Sequence, residues 1–490
     1  MENRMTVTKM MEILQKEKIN TWFDLGLFID RFKESNPVPS ARYRGSYKQF
    51  KNQIEKGGVG FITYAYSVDG VTMEVLKYAK IFVANFPKIK IHLISGDFEE
   101  ESNKLINSAY KKFTLKEAQG FNKWDLYKKF FFTKLERGSV EYNSLILDYW
   151  TEVLSITEKL GNYVEENDLS LFYLVNVASN PGNVALTLAI VFISEYLGIP
   201  VINNNHDFYW EGGNSEINRI EKDLDPGPRD FFFTNDHLGE FFSQIEELFP
   251  WESRSWITVN INEEQSIHVI KENGHNPANV SLIGTAVDVA EYKNTSKRKK
   301  INTFYQFERV LSRYKNTLVS WSVKDVVVKK LVDPDNISPI LIGSKNTRTI
   351  KNFMMENIIF LQPTRVIDRK RIEVGFELIK KLFQRQKFKN KFNEAPKLKL
   401  TILVTGPIAG GHSDYFFGLI KQFDKFLNEL DTQYRSKIYL AFLFSELDKE
   451  RFKKQFEKPA GIVDLYNIAS LVLLPSETEG RGLPIIEASA

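Results

Sequence analysis

Short runs rich in β-branched and aromatic residues recur at 59–66, 89–95, 169–175, 200–204, 229–234, 256–259 and 280–283, each followed by a stretch of helical length. Strands separated in this way predict crossover connections and a mainly parallel sheet, because parallel neighbours cannot be joined by a tight turn. A second series predicts strands over 358–362, 398–405, 437–444 and 471–474, with helices over 370–387, 414–430 and 463–470. The pattern therefore predicts two α/β domains. Residues 1–22 interleave Glu2, Lys9, Glu12, Lys16, Glu17 and Lys18 with apolar positions, as an amphipathic helix does and a secretion signal does not. The most membrane-like stretch, 183–202, is broken by Glu195, Gly198 and Pro200. It divides into a buried helix and a short strand, so no transmembrane segment is predicted.

Between the two series lies a basic run, 293–300, with five Lys/Arg in eight residues, then a helical-looking segment to Lys330 and a Pro/Asn-rich stretch over 333–339. The expected organisation is a first domain over 1–295 with an N-terminal helical extension, a linker or helical insertion over 296–356, and a second domain over 357–490. The basic run reads either as a solvated linker or as a docking patch for an anionic surface or polymer. Length agrees with this division, since 490 residues at roughly 100–200 per domain make two to four domains. With 43% hydrophobic residues, 38 Phe and 20 Tyr, the chain can fill large cores and has no signature of global disorder. A net charge of +4, from 66 Lys+Arg against 62 Asp+Glu, is too small to imply nucleic acid as a partner. The absence of cysteine excludes disulfides, thiolate metal sites and cysteine nucleophiles, and fits a reducing, cytoplasmic setting. No His/Asp/Glu grouping has metal-ligand spacing.

Two segments carry candidate chemistry. The first is Leu471-Val-Leu-Leu-Pro-Ser-Glu-Thr-Glu479-Gly480-Arg481-Gly482-Leu483-Pro484-Ile-Ile-Glu487-Ala-Ser-Ala490, which reads as a buried strand, a Gly-rich turn and a helix with Pro484 near its start. Such a junction aims unpaired amides and the positive end of a helix dipole at one spot, which suits a diphosphate. Glu479 falls in the loop and Glu487, eight residues or about two turns further on, in the helix, so the two glutamates reach different parts of a ligand. In the second, 359–373, a strand ends in Arg365, and Lys370 follows five residues on at the start of a helix. Two cations so placed can meet one diphosphate; Arg369, Lys370 and Arg371 could equally solvate a helix end.

At these residues the sequence resembles the retaining glycosyltransferases of family 4, whose signature, Glu, seven residues, Glu, lies in a segment reading Pro-Ser-x-x-Glu-Gly-x-Gly-Leu-Pro-x-x-Glu-Ala. The family also has an Arg and a Lys at the Arg365/Lys370 spacing after the first strand of its second domain. The resemblance implies the GT-B fold: α/β, two facing doubly wound Rossmann-like domains with an interdomain cleft. It further implies transfer of a sugar from a nucleotide diphosphate sugar to an acceptor hydroxyl with retention, without a metal or other cofactor. On that reading Arg365, Lys370 and the amides of Gly482 and Leu483 stabilise the leaving diphosphate, with Gly480 letting the backbone approach; Glu479 holds donor-sugar hydroxyls and Glu487 the ribose.

In the first domain, His206 and Asp207 follow a strand in Asn-Asn-Asn-His-Asp-Phe-Tyr-Trp-Glu, and the resemblance makes His206 a contact to the donor sugar. The same segment in family members continues with Arg, where this chain has Gly212. Gly70, and Asp69 beside it, fall in the turn that the family places beneath the donor phosphates, although an Asp-Gly turn also serves structure alone. The Asn-rich segment 176–183 is similar to the subgroup that includes mannosylglucosylglycerate synthases, and 282–288 looks like the family's Pro-Asn-Gly-Val-Asp loop with Gly-Thr-Ala in place of Pro-Asn-Gly. Gly410, Gly411 and His412 form a Gly-rich turn with no chemistry assigned. The acceptor is left open between a small molecule, a glycan, a protein and a lipid-linked sugar. In the family more structure follows the second glutamate, so the second domain is expected to be incomplete. A catalytically silent nucleotide-sugar-binding or scaffold subunit is the alternative; a phosphorylase lacks support, because no pyridoxal phosphate lysine is evident.

Overall fold

The computed structural model describes the chain apart from residues 1–4, 36–45, 68, 132, 134, 213–238, 285, 288, 293–294, 312–316, 326–339, 345–347, 352–355, 407–412, 444–455 and 478–481. Its internal contacts separate two units, Met1–Gly284 and Thr285–Ala490.

The first unit is built on seven parallel strands: β1 (Val59–Ile62), β3 (Ile91–Ser95), β5 (Lys111–Thr114), β6 (Leu171–Val175), β7 (Val201–Asn204), β8 (Trp256–Asn260) and β9 (Val280–Leu282), with the small pair β2 (Ala65–Tyr66) and β4 (Asp97–Phe98) beside them. Their order is β5-β3-β1-β6-β7-β8-β9. β1, β3 and β6 are buried at every position, as strands covered by helices on both faces must be, which is why they read as continuous apolar runs rather than as alternation. The strand expected over 229–234 lies outside the described residues. The 183–202 stretch divides as expected into the Val184–Leu197 helix, buried from Val184 to Tyr196, and β7. Asn183 caps the helix start and Gly198, at φ 67°, ends it in the left-handed conformation that glycine adopts without strain. No described helix is long and apolar enough to cross a membrane.

The N-terminal segment departs from the single amphipathic helix expected over 1–22. It forms two helices, Val7–Leu14 and Trp22–Ser35, and their apolar faces, including Met10, Leu14, Trp22, Leu25 and Phe28, join the main core of the unit. Thr6 caps the first by accepting from Lys9 N–H, and Asp24 accepts from the amides of Asn20 and Thr21 ahead of the second.

The second unit holds seven strands in the order β12-β10-β11-β15-β14-β13-β16: β10 (Thr317–Ser322), β11 (Ile340–Gly343), β12 (Arg348–Lys351), β13 (Asn357–Gln362), β14 (Lys399–Val404), β15 (Ile438–Phe442) and β16 (Leu471–Val472). The last four form a parallel block. The stretch 296–356, expected as a linker or helical insertion, instead contains the Lys297–Leu311 helix and three strands of this sheet. Antiparallel pairing of β11 with β15 and of β10 with β12 extends the parallel block. Both units are thus α/β layers around parallel strands, which is what the GT-B expectation requires of each of them.

Candidate functional site

The second unit enters its parallel block at β13, winds outward through β14 and β15, and returns to the other side of β13 with β16. The winding reverses between β13 and β16, and the carboxyl ends of strands at such a reversal are where open α/β sheets hold ligands. Both candidate segments fall there. Phe360 pairs with Leu471 and Leu361 with Val472, so the loop bearing Arg365 and Lys370 and the loop leading to Gly482 leave adjacent strands side by side.

The register is reinforced between the loops. Leu473 N–H donates to the Leu361 carbonyl at 2.7 Å, and Glu477 N–H to the Arg369 carbonyl at 2.9 Å. The Arg371 guanidinium pairs with Glu373 through Nε and with Glu477 through Nη1. Tyr415 donates to the other oxygen of Glu373 at 2.8 Å and accepts from Ile372 N–H at 2.9 Å; burial, with Glu373 adding to it, pushes the tyrosine pKa up. At Gly406 a Cβ would lie 2.3 Å from the Thr364 carbonyl oxygen and 2.5 Å from Arg365 Cα, so glycine is what allows the loop after β14 to pass against the Arg365 backbone.

Lys370 does not open a helix as expected. Asp368–Lys370 is a single 3-10 turn, Arg371 follows at φ 45°, and the α-helix runs over Val374–Phe383. The left-handed residue is the physical break between the two, because it turns the chain out of the helical path. Lys370 is buried, and Gln362, wholly buried, donates from Nε2 to its carbonyl at 2.9 Å; Arg365 is exposed. Gly482, at φ 56°, precedes the seven-residue helix Leu483–Ser489 with Pro484 in its first turn. On that helix both oxygens of Glu487 accept hydrogen bonds, Oε1 from Tyr292 and Oε2 from Tyr466. Glu479, Gly480 and Arg481 lie outside the described residues, as do 410–412. Among the described residues no group of three or more His, Cys, Asp or Glu could hold a metal ion.

In the first unit the reversal falls between β1 and β6. Tyr64, just after β1, spans it: its hydroxyl lies 3.0 Å and 2.8 Å from the carbonyl oxygens of Val177 and Asn180 and accepts from Asn183 N–H. Asn176, at φ 59°, turns its Oδ1 to accept from Ser179 Oγ at 2.9 Å, Asp207 N at 3.1 Å and His206 N at 3.3 Å. One side chain thereby ties the loop after β6 to the loop after β7 and sets the backbone of His206, which is itself buried. Gln265 closes the far side, donating to the His206 carbonyl and to the Glu211 carboxylate. Gly70 opens the Gly70–Asn85 helix, Asp69 caps it by accepting from Thr72 N–H, and among the described residues beyond its chain neighbours and its own helix backbone no atom lies within 4 Å of where a Cβ at Gly70 would stand. Thr285 and Asp288 of the 282–288 loop lie outside the described residues.

The structure thus gathers Arg365, Lys370, Gly482 and Leu483 onto two neighbouring loops, with Glu487 on the helix that follows, and places Gly70 and His206 at carboxyl ends of the other unit's strands. Sequence reading assigned nothing to Tyr292, Glu373, Tyr415, Tyr466 and Glu477, and took Asn176 only as part of the 176–183 segment and Arg371 only as a charge at a helix end; the contacts of these residues join separate segments of the chain. Asn176 alone carried a local signal, an asparagine directly after a strand, where the left-handed conformation suits that residue.

No family model matches the chain. A mannosylglucosylglycerate synthase of Petrotoga mobilis is 24% identical over 440 residues, covering 88% of this chain and 79% of the relative. Among solved structures, HepE of Anabaena in complex with UDP and glucose is 14% identical, covering 88% of this chain and 77% of that one, with a TM-score of 0.45. A glycosyltransferase from Rickettsia africae is 12% identical, covering 88% and 76%, with a TM-score of 0.46.

Proposed function

We propose that the chain is a retaining glycosyltransferase of the family-4 type, taking a nucleotide diphosphate sugar as donor. The observation that carries this reading is the adjacency of β13 and β16, which puts the Arg365/Lys370 loop next to the loop that begins with Pro475-Ser476 and continues to Gly482-Leu483-Pro484. Cations and main-chain donors converging on one strand reversal suit a diphosphate.

The bond from the anomeric carbon to the diphosphate oxygen breaks while the acceptor oxygen attacks from the same face. The acceptor proton passes to the departing diphosphate, so no protein nucleophile is required. Arg365, Lys370 and the amides at Gly482 and Leu483 neutralise the charge that develops on the leaving group. Glu479 and His206 hold the donor sugar and Glu487 the ribose, and Gly70 and Gly480 leave room for the phosphates. No cofactor takes part. The name of the Petrotoga relative, together with the likeness of the 176–183 segment, supports a small glycerate-type acceptor.

Thermal-shift titration with UDP, GDP and ADP tests the donor site, since a ligand bound only by the folded state raises its stability by mass action. One of the three should raise the melting temperature, and Arg365→Ala and Lys370→Ala should each abolish that rise. A folded chain that responds to none of them overturns the proposal. The matching sugar nucleotide should then give a product whose anomeric configuration, read by NMR, equals that of the donor.

A further inference from the structure

We infer that Tyr292 and Tyr466 are positioning residues that set the Glu487 carboxylate to receive a vicinal diol, the 2′- and 3′-hydroxyls of the donor's ribose; this rests on the donor reading above. Tyr292 Oη donates to Glu487 Oε1 at 2.9 Å and Tyr466 Oη to Oε2 at 2.5 Å. The tyrosines come from different elements, the Val289–Tyr292 helix near the start of the second unit and the Ile462–Ile468 helix just before β16. Their rings meet edge to face, with centroids 5.8 Å apart and planes at 72°, so each braces the other. Burial raises the Tyr466 pKa and the hydrogen bond to Glu487 raises it further, which keeps this hydroxyl a donor at any pH the protein meets.

An ionised carboxylate offers about four lone-pair positions on its two oxygens. The tyrosines take one on each and leave one on each, matching the two donors of a cis diol in number and placement. A glutamate without them would sample many rotamers and lose that freedom on binding. Fixing the carboxylate beforehand therefore acts on hydroxyl recognition, and leaves the diphosphate contacts untouched.

The test is isothermal calorimetry on the full chain, using whichever of UDP, GDP and ADP binds most tightly and its 2′-deoxy counterpart, with wild type, Tyr466→Phe, Tyr292→Phe and the double variant. Phenylalanine keeps the packed rings and removes only the donors. Wild type should prefer the ribonucleotide by roughly tenfold or more, a typical worth for a charge-assisted hydrogen bond. Each single variant should cut the preference at least threefold, the double variant should bring it near unity, and affinity for the deoxynucleotide should change less than twofold throughout. Variants that keep the wild-type preference, or that lose affinity for both nucleotides equally, overturn the inference while the donor reading stands. Wild type that binds without preferring ribose does the same; wild type that binds no nucleotide overturns both.

Discussion

Arg371 holds a backbone conformation that a residue with a Cβ resists. At φ 45° it sits where L-residues lose about 1–2 kcal/mol, and the contacts of its side chain explain why the conformation persists: the guanidinium bridges Glu373 and Glu477 and so ties the loop after β13 to the loop after β16. The Glu477 N–H bond to the Arg369 carbonyl adds a second tie that needs no side chain. Strain and latch are thus separable by substitution. Arg371→Gly should relieve the backbone while removing the latch, leaving the melting temperature within a few degrees of wild type yet weakening nucleoside diphosphate binding by roughly tenfold, about 1.4 kcal/mol. Calorimetry beside thermal unfolding checks both halves; unchanged affinity would mean that main-chain pairing alone aligns the two loops.

Elements differed sharply in how legible they were. β1, β3, β6, β13, β14 and β15 are short apolar runs between helices, and the requirement that both faces be covered writes them directly into the sequence. β5 is Lys-Lys-Phe-Thr, mostly exposed at a sheet edge; the lysines that protect such an edge also erase its signal. β10 (Thr-Leu-Val-Ser-Trp-Ser) and β11 (Ile-Leu-Ile-Gly) are β-rich runs within a stretch read as helical or linker, and their place in the sheet comes from pairing with β12 and β15, which no local pattern encodes. The candidate site divides in the same way. Arg365, Lys370, Gly482, Leu483 and Glu487 stand in contiguous motifs, whereas Tyr292 reaches Glu487 across 195 positions of chain. The N-terminal helices show the same dependence on distant partners: at Gly161, inside the Val140–Asn167 helix, a Cβ would meet the Val7 methyls at 3.1 and 3.2 Å and the Met10 methyl at 3.4 Å. Glycine costs a helix interior up to about 1 kcal/mol, and here it lets the Val7–Leu14 helix cross closely. Gly161→Leu should therefore destabilise the first unit by about 1–3 kcal/mol despite its better helix propensity, measured by thermal unfolding; an unchanged or raised melting temperature would show that the N-terminal helix can shift without loss.

With 66 basic against 62 acidic residues the protein has little net charge to drive its response to pH, so buried groups with displaced pKa values decide it. Two in the first unit oppose each other. Burial, with Asp125, Glu117 and Asp148 adding repulsion, lifts the Glu152 carboxyl from 4.5 to about 7 even though Trp124 Nε1 donates to it. Burial, helped by Lys111 and Lys90, lowers the His92 imidazole from 6.5 to about 4. Between pH 4.5 and 7 the folded state binds more protons at Glu152 than the unfolded chain does, so this group's contribution to stability falls as pH rises through that window. At His92 the folded state binds fewer protons between pH 4 and 6.5, so its contribution rises with pH there. The windows overlap and the slopes have opposite signs, so from pH 4.5 to 6.5 the contributions of these two groups largely cancel. Glu152→Gln retains an acceptor for Trp124 and removes only the titrating proton. The variant's melting temperature should match wild type at pH 4.5, pull ahead of it as the pH rises to 7, and at pH 8 exceed it by an amount equivalent to roughly 3 kcal/mol. Parallel profiles for the two proteins across pH 4.5–8 would mean that Glu152 titrates near 4.5 in the folded state.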